Sequence, residues 1–125
     1  MSTLLSFGHG YSAQALARRL LRQDWRVIGT TRDKATHLLI SAAPTDDGDP
    51  VLALLRDEIA ARADQFSWVG YLSTTGVYGD NNGNWVDENS PLNPATKRGQ
   101  LRVQAETEWA AIPGLPLHIF RLAGI

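Results

Sequence analysis

Apolar and polar positions along the chain fall into alternating short runs and helical stripes. Ser2 to Phe7 is a short, mostly apolar run that passes straight into glycines, which predicts a buried strand ending in a tight turn. Ala13, Leu16, Ala17, Leu20 and Leu21 then recur at offsets of three, four, seven and eight, the signature of one helix face. Arg18, Arg19 and Arg22 lie off that face, late in the helix, where cations suit its negative end. Trp25 to Thr31 reads as a second strand and His37 to Ala42 as a third. The third is a nearly unbroken apolar run, and such strands are usually covered on both faces, as in parallel sheets.

Pro44 to Pro50 is a loop, with Asp49 suited to cap a helix that begins at Pro50. That helix places Leu52, Leu55, Ile59, Ala63 and Phe66 on one side. Trp68 to Leu72 forms a fourth strand, running into Ser-Thr-Thr-Gly. Asp80 to Pro94 is rich in Asn, Gly and Pro and reads as a long surface loop. Thr96 to Ala111 forms a third helix with Leu101, Ala105, Trp109 and Ile112 aligned, ended by Pro113-Gly114. Leu117 to Leu122 is a fifth strand.

Strands alternating with helices predict an α/β fold with a mainly parallel sheet of about five strands. One connection breaks the pattern. Only Asp33 to Thr36 separate the second and third strands, whereas a parallel crossover needs a dozen or so residues. Four residues reach at most ~14 Å. Either these strands pair antiparallel or one βα unit is missing here.

At 125 residues and 43% apolar content, the chain suffices for one domain, residues 1–125. Twelve basic against thirteen acidic residues leave a net charge of −1, with no basic stripe for nucleic acid. The absence of cysteine excludes a disulfide framework, a thiolate metal site and a thiol nucleophile. No apolar run approaches the ~20 residues of a membrane span, and the N-terminus lacks the pattern of an export signal, so a cytoplasmic protein is expected. His9, His37 and His118 are scattered, so no metal site is expected. Trp25, Trp68, Trp85 and Trp109 fall on different elements and read as packing anchors.

The chemistry concentrates at Phe7-Gly8-His9-Gly10-Tyr11-Ser12-Ala13, which fits G-x-G-x-x-A between a strand and a helix. Gly8 permits the tight turn, Gly10 lets backbone approach a pyrophosphate, and Ala13 allows the helix to pack closely on the strand. Backbone N–H groups at the helix start, from Tyr11 and Ser12 onward, would hold the phosphates. A residue ~20 positions past the glycines reads the adenosine ribose in such folds, an acid selecting NAD and a nearby Arg the 2′-phosphate of NADP. The chain has Thr30-Thr31-Arg32-Asp33 there. Arg32 takes the expected place, so NADP is preferred to NAD.

Together with these glycines, Leu39-Ile40-Ser41-Ala42-Ala43, Ser73-Thr74-Thr75-Gly76-Val77-Tyr78-Gly79, Asp87-Glu88-x-x-Pro91 and Phe120-Arg121-Leu122-Ala123-Gly124-Ile125 occur in order. The combination resembles the extended, atypical short-chain dehydrogenase/reductase superfamily, of NAD-dependent epimerase/dehydratase type. The resemblance implies a Rossmann-like three-layer fold with Ala42 and Ala43 beside the cofactor. It implies that Thr74 matches the catalytic Ser/Thr that hydrogen-bonds a substrate hydroxyl or carbonyl, while the residue type alone equally suits a cap on its own turn. Tyr78 would shape the pocket floor, and Asp87 and Glu88 read as solvated or capping groups.

The departures from that family are specific. Its enzymes use Tyr-x-x-x-Lys on the helix after the long loop, and no such pair exists in this chain. Aligning Arg98-Gly99-x-x-Arg102-x-x-x-Glu106 with Tyr-Gly-x-x-Lys-x-x-x-Glu puts Arg98 at the tyrosine and Arg102 at the lysine. Arg cannot replace a phenol as proton donor and acceptor, though Arg102 could supply positive charge near the nicotinamide ribose. Relative to the family one βα unit is absent, and the sequence stops at Ile125, where members continue into a C-terminal substrate-binding part. Two functions stay open: an NAD(P)-dependent oxidoreductase or epimerase acting on a small hydroxyl or carbonyl substrate, or a non-catalytic dinucleotide-binding or sensing module, or inactive fragment. The family's dimer contact, if kept, would form a homodimer through Pro50–Phe66 and Lys97–Ala111.

Overall fold

The computed structural model describes residues 2–7, 11–28 and 35–124, with the backbone alone for Tyr11, Ser12 and Ile28. In chain order the elements are β1 (Thr3–Phe7), α1 (Tyr11–Leu21), β2 (Arg26–Ile28), β3 (His37–Ile40), α2 (Pro50–Ala61), β4 (Trp68–Thr74), α3 (Lys97–Ala110) and β5 (Leu117–Leu122). Short 3-10 turns follow α2 at Ala63–Gln65 and β4 at Thr75–Tyr78. The strands form one sheet in the order β2-β1-β3-β4-β5, with every pairing parallel.

The antiparallel alternative for the second and third strands is therefore corrected: β2 and β3 flank β1 on opposite sides, both parallel to it. The register explains how so short a link suffices. Ile28 lies beside Leu5, and His37 lies beside Leu4. The end of β2 is thus almost level with the start of β3. The connection needs to pass two strand spacings sideways, about 10 Å, and has little length to travel back. Between the described end of β2 and the start of β3 lie residues 29–36. A link of that length can span roughly 27 Å when extended. Most of it lies outside the described residues.

Three layers result. Alternation along β3 sends Leu38 and Ile40 to one face and Leu39 to the other. The first face carries α2 and α3, whose Val51, Leu52, Ile59, Ala105, Trp109 and Ile112 join Leu38, Ile40, Val69 and Tyr71 in the larger core. The second carries α1, where Ala13 joins Leu4 and Leu39. Towards β4 and β5 this second face is covered by its own side chains. The Trp68 indole lies over Gly70, where any Cβ would overlap the ring. It also stacks on His118 and meets Phe120 at a tilt, at centroid distances of 6.1 and 6.0 Å.

One buried carboxylate joins two helices. Asp49 is 3% exposed. Its Oδ1 accepts from the Val51 and Leu52 amides at 2.9 and 3.0 Å, capping α2. Its Oδ2 accepts from Trp109 Nε1 on α3 at 3.0 Å. The tryptophans otherwise divide. Trp109 is fully buried, whereas Trp85 is 99% exposed, which corrects its reading as a packing anchor. Trp85 sits in a loop whose turns are closed by Asn and Asp side chains on local backbone, so local hydrogen bonding rather than an apolar core sets the loop's shape. Among the described residues no helix is long and apolar enough to cross a membrane.

Candidate functional site

The sheet reverses its winding at β1. From β1 the chain passes through α1 to β2 on one side, and the remaining strands stack on the other. In open α/β sheets the crevice at the carboxyl ends of two such strands is where ligands bind. Here that crevice lies between the ends of β1 and β3. Phe7 ends β1 and Tyr11 begins α1, so α1 directs its amino end to this edge. The first turn of α1 holds no acidic side chain that would oppose an anion.

The sequence-predicted residues distribute as follows. Gly8, Gly10 and Arg32 lie outside the described residues, and Tyr11 and Ser12 are described by backbone only. Ala13 is 2% exposed against Leu4 and Leu39, which brings the start of α1 close to the sheet. Ala42 packs on the larger core, and Ala43 is exposed where the chain leaves β3. Between β3 and these alanines, the Ser41 amide donates to Phe7 O at 2.6 Å, extending the ladder by one residue. The Ser41 Oγ is buried and has no hydrogen-bond partner among the described residues.

Thr74 ends β4 and is half-buried. Its Oγ1 accepts from the Gly76 amide at 3.1 Å and so caps the 3-10 turn. The cap occupies a lone pair, and the hydroxyl proton goes to no acceptor among the described residues. Arg102 turns inward from α3. Its Nη1 donates to Tyr71 Oη at 3.1 Å and to Leu72 O at 2.8 Å, and its guanidinium lies 5.7 Å from the Tyr71 ring centroid. Pairing between β3 and β4 ends at Tyr71, and Arg102 takes the next carbonyl along. Burial pushes the Tyr71 phenol up, and Arg102 opposes that shift. Arg98, at the position of the family tyrosine, is exposed.

A second buried network was not assigned a role from the sequence. Glu106, 3% exposed on α3, accepts from Ser73 Oγ at 2.5 Å. It also takes a forked pair of bonds from Arg121 on β5, Nε at 3.2 Å and Nη2 at 2.8 Å. The remaining Arg121 nitrogen, Nη1, donates to Tyr78 Oη at 3.0 Å and to Glu88 O at 3.4 Å. The Glu106 bonds hold the Arg121 guanidinium firmly protonated. One guanidinium thus ties β5, α3, the 3-10 turn after β4 and the long loop together at the carboxyl edge. The available signal was a carboxylate at position 106 between the aligned core positions Ala105 and Trp109. An acid in that setting requires a buried cation.

Neither family models nor curated proteins match this chain. Solved structures do. A functionally unknown conserved protein from Silicibacter pomeroyi is 54% identical, with a TM-score of 0.92 over 99% of this chain and 53% of its own. RMD from Pseudomonas aeruginosa, complexed with NADPH, is 16% identical with a TM-score of 0.74, covering 99% of this chain and 54% of its own. The UDP-glucuronic acid 4-epimerase from Bacillus cereus, in complex with NAD, is 15% identical with a TM-score of 0.73, covering 98% and 56%. The chain spans about half the length of these structures. Its parallel sheet and helices therefore share the Rossmann-like fold of proteins crystallised with nicotinamide dinucleotides.

Proposed function

We propose that the chain binds a nicotinamide dinucleotide across the carboxyl ends of β1 and β3, as a member of the epimerase/dehydratase-like branch of the short-chain dehydrogenase/reductase superfamily. The observation that carries this reading is the coincidence of Gly8-x-Gly10-x-x-Ala13 with the point where the parallel sheet reverses its winding. The surrounding residues fit such a ligand. Ala13 lets α1 approach, and the first turn of α1 is free of acids. The backbone amides of Tyr11 and Ser12 would hold the diphosphate, with Gly8 and Gly10 leaving room for it. Ala42 and Ala43 would flank it without bulk. Arg32 would favour the 2′-phosphate of NADPH, and Arg102 adds a fixed positive charge at the end of β4.

When bound, the dinucleotide supplies or accepts hydride. The chain's own contribution to chemistry would be Thr74, whose free hydroxyl proton can orient a small carbonyl or hydroxyl substrate. An exposed arginine at position 98 cannot exchange a proton with that substrate as a phenol does. This favours the second reading, a cytoplasmic module that binds or senses dinucleotide without turnover. Either form would dimerise through α2 and α3, where Leu54 stands 83% exposed.

Titration with NADPH and NADH, read by energy transfer from tryptophan to the reduced nicotinamide, tests the reading. Saturable binding, tighter for NADPH, is expected. Steady cofactor oxidation with a panel of small carbonyls would assign an oxidoreductase, and binding without oxidation the module. No saturation at millimolar cofactor refutes dinucleotide binding.

A further inference from the structure

The two faces of the sheet are unequally covered. α2 and α3 pack on one face. On the other, α1 serves β1 and β3, where Ala13 meets Leu4 and Leu39. Among the described residues no helix lies over β4 and β5 on that side. Tyr71 and Ile119 face α2 and α3, so alternation turns Leu72, Phe120 and Leu122 to the uncovered side. The Trp68 indole shields Gly70 there, but Phe120 stays 41% and Leu122 38% exposed. Towards α1 this face continues into a groove of about 420 Å³, with Leu16, Leu20 and Trp25 on one wall and Trp68 on the other. Parallel sheets are normally covered on both faces.

The dimensions of the strip select its occupant. Two strand spacings make it about 10 Å wide, the diameter of one helix. The seven residues of β4 rise about 23 Å, the length of a helix of about 15 residues. Charge refines the choice. α1 carries Arg18 and Arg19 and no carboxylate. Arg19 follows the groove-lining Leu16 by three positions, is exposed, and makes no ion pair among the described residues. A second copy meeting this face about a two-fold axis would lay its own α1 in the strip, basic helix beside basic helix, which charge opposes. The Silicibacter pomeroyi protein, 54% identical, has only 53% of its chain within the match, so nearly as much chain again accompanies this fold there. We infer that the β4–β5 face receives one amphipathic helix equivalent to a helix in that additional chain. The helix is apolar towards Phe120 and Leu122 and acidic along the flank beside α1.

Peptides of about 20 residues, long enough for such a helix, are made to span the part of the Silicibacter pomeroyi protein outside the match. Each is labelled, titrated with this chain, and followed by fluorescence anisotropy. One with apolar residues at helical spacing and an acidic flank is expected to bind saturably in the micromolar range. Phe120→Asp and Leu122→Asp are each expected to weaken it about tenfold or more. Arg19→Glu should weaken it about tenfold at low salt, an effect that disappears in about 0.5 M salt. Arg19 is exposed, so an unchanged melting temperature of that variant separates lost binding from lost folding. No saturable binding by any peptide at millimolar concentration overturns the inference, as does binding that survives both Phe120→Asp and Leu122→Asp. Binding indifferent to Arg19→Glu overturns the acidic flank. Self-association of the chain that Leu122→Asp abolishes, read by sedimentation, gives the face to a second copy and overturns the inference as well.

Discussion

Removing Glu106 should cost far more than its single charge suggests. Its side chain is 4% exposed and that of its partner Arg121 is 16% exposed, with the closest N–O distance 2.8 Å. Glu106→Ala leaves the guanidinium with neutral acceptors only, Tyr78 Oη and Glu88 O, and strands Ser73 Oγ. Truncating one member of a buried pair costs ~3–5 kcal/mol. Against a total stability of ~5–15 kcal/mol, that brings the fold near its limit. The melting temperature should fall by roughly 15 °C. Urea unfolding followed by tryptophan fluorescence measures the loss. An internal control isolates burial as the cause. Arg56 and Glu108 meet at 3.0 Å, nearly the same distance, but with side chains 46% and 29% exposed. Arg56→Ala should cost no more than ~1 kcal/mol, and that loss should vanish in high salt. The double variant Glu106→Leu/Arg121→Met should recover much of the stability lost by Glu106→Ala, since apolar side chains can replace a buried pair. A Glu106→Ala loss as small as that of Arg56→Ala, or a double variant weaker than the single one, would refute the assignment of a low-dielectric clamp.

Two further outcomes are expected. Gly79 has φ 71° and ψ −156°, and a Cβ there would overlap the Asn93 carbonyl. Gly79→Ala should therefore lose about 3 kcal/mol or more, measured by the same unfolding, whereas Gly83→Ala, with open space around it, should lose only the smaller cost of its positive φ. Burial holds the His37 imidazole below its usual range. Below pH ~6.5 the unfolded chain takes up a proton that the folded chain resists. Stability should accordingly fall as pH drops from 7 to 5, and His37→Phe should flatten that part of the melting-temperature profile.

What was legible in the sequence follows from which interactions are local. The stripes Leu52/Ile59 and Ala105/Trp109/Ile112 recur at helical spacing, and those residues are buried. Asp49 before Pro50 is a local cap, and it forms. β2 was legible as far as the structure describes it. The predicted strand runs to Thr31, pairing with β1 is described as far as Ile28, and residues 29–31 lie outside the described residues. Separation along the chain hid the Glu106–Arg121–Tyr78 network. Its members come from β5, α3 and the turn after β4, and only the fold brings them together. Thr74 was ambiguous because one hydroxyl can cap a turn with a lone pair and still offer its proton elsewhere. Leu21, on the predicted apolar face of α1, is 58% exposed. In the same last turn Leu20 keeps its contact with the core while Leu21 faces solvent.

The carboxylate at the head of α2 also grips the indole near the far end of α3. Sliding or rolling either cylinder on its own would break a buried ionic hydrogen bond at one end or uncap a helix at the other. The pair must behave as a single plate bolted to the sheet.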